Sequence, residues 1–331
     1  MTRPVQSGER DTAGRCSARL QTLIGAGSST GEFHALLNDA RQSLGNDHPM
    51  TLEIEYQFEL RRDQDRSAAE SMIVWSDLRQ RSENGEPAAA RTAMAIRMQH
   101  VRQLRRCGRP EDLDRIVALC RDEVRRRPEG TDPRARGQAH AALALVLRDR
   151  AWFAAVGPTH PGYDAAADLA EAAGLIDQEV ERRTRACDAF AAVNAQLIRA
   201  EVLLAEVRHD ADPARAGRAL ALAEELVRLP GGEFDVVDQL PRPHVLLAES
   251  LAAVGREWDA RRVARLAYAL QAGSAVFDPA RPLLTLALSQ RHDAPAQALV
   301  TAQTALEQRR VTFAAESLYV AEAEQLVSTL A

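Results

Sequence analysis

Leu104-Arg105-Arg106-Cys107-Gly108-Arg109-Pro110-Glu111-Asp112-Leu113-Asp114-Arg115-Ile116 is echoed later in the chain by Leu251-Ala252-Ala253-Val254-Gly255-Arg256-Glu257-Trp258-Asp259-Ala260-Arg261-Arg262-Val263. Leucine, Gly-Arg, an acid, an arginine and a branched aliphatic recur at the same offsets. In each copy a glycine interrupts a helical period, which reads as helix, tight turn, helix. A unit that cannot bury its apolar face alone and is used more than once points to a stacked helical array. Such arrays build binding surfaces.

Two further segments repeat in the same sense. Arg208-His209-Asp210-Ala211 and Arg291-His292-Asp293-Ala294 each end one helical pattern and precede a proline and an alanine-rich second pattern. Around them, aromatic residues are 4% of the chain while hydrophobic residues are 46%, much of it alanine. Close-packed alanine-rich helices need few large rings, and no β-branched ladder with hairpin turns occurs, so the expected class is all-α.

The pattern predicts a helix over Pro49–Arg62, with Asp47 as a cap and Pro49 in the first turn. Leu52, Ile54, Tyr56, Phe58 and Leu60 alternate with polar residues as in a strand. Leu52, Tyr56 and Leu60 also share one helical face and Ile54 with Phe58 another, and the helix is preferred. Further helices are expected over Ser67–Arg81, Pro87–Cys107, Glu111–Arg127, Arg134–Phe153 and Tyr163–Glu181. Gly25-Ala26-Gly27-Ser28-Ser29-Thr30-Gly31 lacks a preceding strand and a Lys-Ser/Thr ending, so it is read as a loop rather than a phosphate cradle.

Leu44-Gly45-Asn46-Asp47-His48-Pro49-Met50-Thr51-Leu52 resembles the junction between units in the longer tetratricopeptide repeats of the kinesin-light-chain type. In that resemblance Gly108 and Gly255 are turn glycines. Ala260, Ala264 and Ala267, then Ala216, Leu220 and Ala223, then Ala298, Ala302 and Ala305, are the positions where a second helix approaches the first. The resemblance implies a right-handed superhelical solenoid of stacked antiparallel helix pairs that binds proteins or peptides in a concave groove. The expected organisation is a disordered segment over 1–14 and a single array over 15–331. Within the array fall an irregular break near 154–162 and a terminal capping helix over 311–330.

Charge and reactive residues narrow the chemistry. All 42 basic residues are arginine, which removes Schiff-base, P-loop and kinase-type lysines and suggests a high-GC bacterial source. A net charge of −5 argues against nucleic acid as a partner of the whole surface. Cys16, Cys107, Cys120 and Cys187 form no Cys-x-x-Cys pair and are expected to be buried thiols. The eight histidines show no metal-ligand spacing, and no cofactor motif occurs. Without an apolar leader segment or a long apolar run, a cytoplasmic protein with no membrane contact is expected. Glu53, Glu55 and Glu59 read as a solvated helix face.

The candidate site is an arginine cluster. Between Arg97 and Arg136 there are twelve arginines against seven acids, an excess of five. If Gly108 marks the turn, Met98, Arg102, Arg105 and Arg106 face the groove, where guanidiniums clamp the carboxylates of an acidic partner segment. Trp152 and Phe153, just before Gly157 and Pro158, form a candidate exposed anchor and hinge. Trp258 is expected to pack at its turn. The expected function is therefore a non-catalytic protein- or peptide-binding scaffold or regulatory adaptor. The alternatives are a peptide or small-molecule sensor that changes superhelical curvature, and a biosynthetic accessory protein or enzyme on a helical scaffold, built around His140, His160 and Asp164.

Overall fold

In the computed structural model of the chain, residues 7–63, 66–84, 90–127, 132–154, 156, 163–229, 241–271 and 277–331 are described. They form fifteen helices and, among the described residues, no strand. The helices fall into two compact units, Met1–Leu104 and Arg105–Ala331, with the boundary inside the fifth helix.

The first unit contains α1 (Ser7–Gly25), α2 (Thr30–Leu44), α3 (Pro49–Arg62), α4 (Ala68–Asn84) and most of α5 (Ala90–Cys107). α1 begins at Ser7, inside the stretch expected to be disordered. α3 spans the helix expected from the sequence, and its two apolar faces explain the strand-like alternation. Ile54 and Phe58 join Leu20 of α1 and Phe33 and Leu36 of α2 in one core, while Leu52 packs with Trp75, Leu78 and Ile96 in another. A helix wedged between two cores is apolar on two sides.

The same wedging overturns the solvated reading of its glutamates. Glu55 and Glu59 are buried: Glu55 is clasped by Arg41 at 2.9 Å and Arg81 at 3.0 Å, and Glu59 is paired with Arg66. Just beyond the helix, Asp63 accepts from the Trp75 indole at 3.1 Å and from the side-chain amides of Gln99 and Gln103. Buried carboxylates survive in a core when each oxygen is met by a donor.

The second unit contains the end of α5, then α6 (Pro110–Arg125), α7 (Pro133–Phe153), α8 (Ala165–Arg185), α9 (Ala189–Asp210) and α10 (Pro213–Arg228). It continues through α11 (Pro241–Ala253), α12 (Glu257–Leu270), α13 (Arg281–Gln290), α14 (Pro295–Thr312) and α15 (Leu318–Leu330). From α6 to α15 consecutive helices pack on each other. In addition α7 packs on α9, α9 on α11 and α11 on α13. Odd-numbered helices therefore form an inner layer, with the even-numbered ones laid outside it, the arrangement of a tetratricopeptide-like helical repeat.

Alanines explain how the two layers approach. Ala260, Ala264 and Ala267 of α12 and Ala298, Ala302 and Ala305 of α14 are fully buried at the expected i, i+4, i+7 spacing. In α10 the buried set is Ala216, Ala219 and Ala223, so the middle position belongs to Ala219 and its neighbour Leu220 is only partly buried. Small side chains at a crossing bring two helix axes close and leave little void. Val311 and Thr312 end α14, and the final helix starts at Leu318, later than the expected cap.

Candidate functional site

Each odd helix of the second unit carries charged side chains on its inner side, and they meet one another. Arg105, at the end of α5, donates to Asp149 of α7 at 2.7 Å and lies over the Phe277 ring. Asp149 also accepts from the Tyr319 hydroxyl of α15 at 3.0 Å, and Arg148 lies 3.1 Å from its other oxygen. Arg148 pairs with Glu201 of α9, which accepts from Arg242 of α11 at 2.9 Å and has Arg281 of α13 at 3.5 Å. Arg281 in turn donates to Glu249 of α11 at 2.6 Å.

A second branch runs through α14 and α15. Arg309 donates to Asp278 at 2.6 Å, to the Tyr319 carbonyl at 2.6 Å and to Glu322 at 2.9 Å. Glu322 also accepts from the Trp152 indole at 2.9 Å and pairs with Arg208, whose guanidinium covers the Trp152 ring. The inner side of this unit is thus a ladder of buried, alternating charges.

The electrostatics follow from crowding. Burial alone raises the Glu201 carboxyl, but Arg148, Arg242 and Arg281 together hold it far below the usual carboxylate range. Glu322 is likewise resisted by burial and pulled down to about 2 by Arg309 and Arg208. Burial and the Asp149 charge push the Tyr319 hydroxyl up, so it stays protonated and donates.

These facts relocate the residues named from the sequence. Met98 is half-buried and Arg102 is exposed on the part of α5 that belongs to the first unit. Arg105 is not a free groove cation: its guanidinium is fully committed to Asp149 and Phe277. Arg106 reaches the Thr312 carbonyl at 3.4 Å, and its own carbonyl accepts from the Ala314 N–H. The chain's own C-terminal segment therefore lies against Arg106.

Neither Trp152 nor Phe153 is exposed: Trp152 is half-buried and Phe153 buried. Phe153 is buried edge-on against Tyr319, with ring centroids 4.6 Å apart, and Trp152 is held by Glu322 and Arg208, so neither forms an exposed anchor. Gly157, Pro158 and His160 lie outside the described residues. His140 is buried, and burial and then Arg136 lower its basicity, while Asp164 is an exposed cap accepting from the Ala167 N–H. Cys16, Cys107 and Cys120 are buried as expected, but Cys187 is exposed. Trp258, expected to pack at its turn, stands in solvent.

No protein-family model and no curated protein matches the chain. Among solved structures, the crystal structure of the P58(IPK) TPR domain is similar over 96% of this chain and 98% of that chain, at 13% identity and a TM-score of 0.29. Helix order and layering in this protein rest on its own contacts. Among the described residues, no three His, Cys, Asp or Glu side chains are placed to share a metal ion, and no helix is long and apolar enough to cross a membrane.

The two glycines of the sequence echo do different work. Both have left-handed backbone, φ +59° at Gly108 and +78° at Gly255. A methyl at Gly255 meets open space, whereas one at Gly108 lies 2.8 Å from Ser317 Oγ and 3.2 Å from the Tyr319 ring. The Gly108 carbonyl also accepts from the Leu318 N–H at 3.0 Å. Gly255→Ala is expected to cost only the backbone term, about 1–2 kcal/mol. Gly108→Ala should lose a further 1–3 kcal/mol or so from overpacking. Thermal unfolding of the two variants side by side checks this; equal losses would mean the C-terminal segment does not press on the α5–α6 turn.

Sequence reasoning missed the ladder because each partner lies far away along the chain. One signal was available. Glu201 sits alone in Leu197-Ile198-Arg199-Ala200-Glu201-Val202-Leu203-Leu204, and a single carboxylate in an apolar helical run needs a buried cation.

Proposed function

We propose that this chain is a non-catalytic protein-binding scaffold, a regulatory adaptor that offers a rigid helical surface to another protein. The observation that carries the reading is the mutual neutralisation of the inner charges. Arg105, Arg148, Arg242, Arg281 and Arg309 are each matched by Asp149, Glu201, Glu249, Asp278 or Glu322. Carboxylates held ionised by salt bridges make a framework rather than acid–base machinery.

The same network argues against a sensor that works by changing curvature. Flexing the inner layer would separate buried ion pairs, each of which is costly to break. A partner therefore meets a preformed surface, and little ordering cost is added on binding.

Of the groove residues Arg102, Arg105 and Arg106, Arg102 is the exposed one, and an acidic segment of a partner is the chemistry it would recognise. Affinity capture from native lysate with the wild type beside Arg102→Ala tests both levels. Loss of an acidic-segment partner from the variant is the expected result. An unchanged partner set removes Arg102 from the contact, and no retained protein by either form overturns the scaffold reading.

A further inference from the structure

The outer face of α12 carries features that the inner ladder does not explain. Its inner side is defined by the buried Ala260, Ala264 and Ala267, so the opposite side runs through Trp258, Arg262, Leu266 and Leu270 at intervals of four. Trp258 is 69% exposed, Leu266 48%, Tyr268 40% and Leu270 37%. Four of the nine large apolar side chains exposed among the described residues thus lie on this one helix of 14 residues. Tyr268 faces another side, where it accepts from Gln308, but Trp258, Leu266 and Leu270 share one ridge and form a patch.

The charges on this helix are unbalanced in one place only. Arg256 pairs with Asp259, and Arg261 with Asp293. Arg262 and Arg265 are exposed, and among the described residues neither has a carboxylate within ion-pair distance. Arg262 lies 5.6 Å from the centre of the Trp258 ring, within cation–π range. Trp, Tyr and Arg are the residue types that most often carry binding energy at an interface.

Building on the scaffold reading, we propose that the outer face of α12 docks an acidic amphipathic helix from a partner protein. Ridges spaced by four residues pack into the groove of a second helix. The partner's apolar stripe would cover Trp258, Leu266 and Leu270, and its flanking Asp and Glu side chains would meet Arg262 and Arg265. A second copy of this chain fits less well. Two α12 faces laid together would oppose Arg262 and Arg265 with the same residues, and like charges across an interface are repulsive.

The test uses the full chain and two fluorescein-labelled designed helical peptides of about 18 residues. Both carry leucines at i, i+3, i+4 and i+7; one is flanked by Glu and the other by Lys. By fluorescence anisotropy the Glu peptide should bind the wild type at least ten times more tightly than the Lys peptide. Trp258→Ala/Leu266→Ala should weaken it by ten-fold or more, and Arg262→Glu/Arg265→Glu should reverse the order of the two peptides. All four positions are exposed, and unchanged far-UV circular dichroism and melting temperature confirm folding.

Equal binding of both peptides, no binding of either, or Glu-peptide affinity unchanged in Trp258→Ala/Leu266→Ala overturns the proposal. So does concentration-dependent dimerisation of the wild type that Trp258→Ala abolishes, because a second copy then occupies the face. Partner capture that is lost on Arg102→Ala and intact in Trp258→Ala/Leu266→Ala overturns this surface alone and leaves the scaffold reading standing.

Discussion

Replacing Glu201 by alanine should lower the stability of the C-terminal unit by about 3–5 kcal/mol, the usual cost of leaving a buried charge without its partner. Glu201 is buried, and three guanidiniums, those of Arg148, Arg242 and Arg281, converge on its two oxygens. Removing it leaves three cations on α7, α11 and α13 facing one another in a medium of low dielectric, so their repulsion adds to the lost attraction. Glu201→Gln keeps the shape and one acceptor and should lose less. Urea unfolding gives the magnitude, and hydrogen exchange places it. Protection should fall first in α9 and α11 while α1 to α4 are unchanged. A loss below 1 kcal/mol would mean that water already screens the cluster.

Acid acts on the same groups, with a definite sign. Glu322 has an ordinary value of 4.5 and is pulled down to about 2 in the folded chain, so the unfolded state binds the proton more readily. Its contribution is fully present above about pH 4.5 and fades as the pH falls towards 2, and at about 1.4 kcal/mol per unit it amounts to roughly 3 kcal/mol. Glu201 is shifted in the same direction. The C-terminal unit should therefore lose stability across that window, and Glu322→Gln should flatten the dependence.

What the sequence disclosed and what it hid differ by range. Local features were legible: α3 as a helix in spite of its alternating residues, the turn at Gly108, and the buried alanines of α12 and α14 all depend on neighbours within about two turns. The inner ladder depends on which helices stack. Arg148 and Glu201 are 53 residues apart, and Tyr319 and Asp149 are 170 apart. No period along the chain encodes such pairs. The surplus of arginine between Arg97 and Arg136 was visible, but its use was not, because the acids that neutralise Arg105 lie on a different helix. Trp258 misled for the opposite reason. A tryptophan beside a turn is normally core, and only the buried alanines on the other face of α12 place it outside.

Tyr319→Ala should be as damaging as the loss of Glu201, about 3–5 kcal/mol, for reasons of packing rather than charge. Tyr319 is stacked on Phe313 with ring centroids 4.3 Å apart and meets Phe153 and Phe277 edge-on at 4.6 and 5.7 Å. It is the aromatic centre through which α15 touches α7, and its truncation would leave a cavity among rings that cannot collapse independently. Tyr319→Phe separates the two contributions. The ring stays, but Asp149 loses the hydroxyl donor and keeps Arg105, so about 1–3 kcal/mol should go. If closure of the unit is carried by the aromatic cluster, the phenylalanine variant keeps hydrogen-exchange protection at the start of α15 and at the α5–α6 turn, while the alanine variant loses both together. Equal loss in the two variants would assign the closure to the Asp149 hydrogen bond instead. Retained protection at Leu318 in Tyr319→Ala would show that the Gly108 carbonyl holds the segment without the ring.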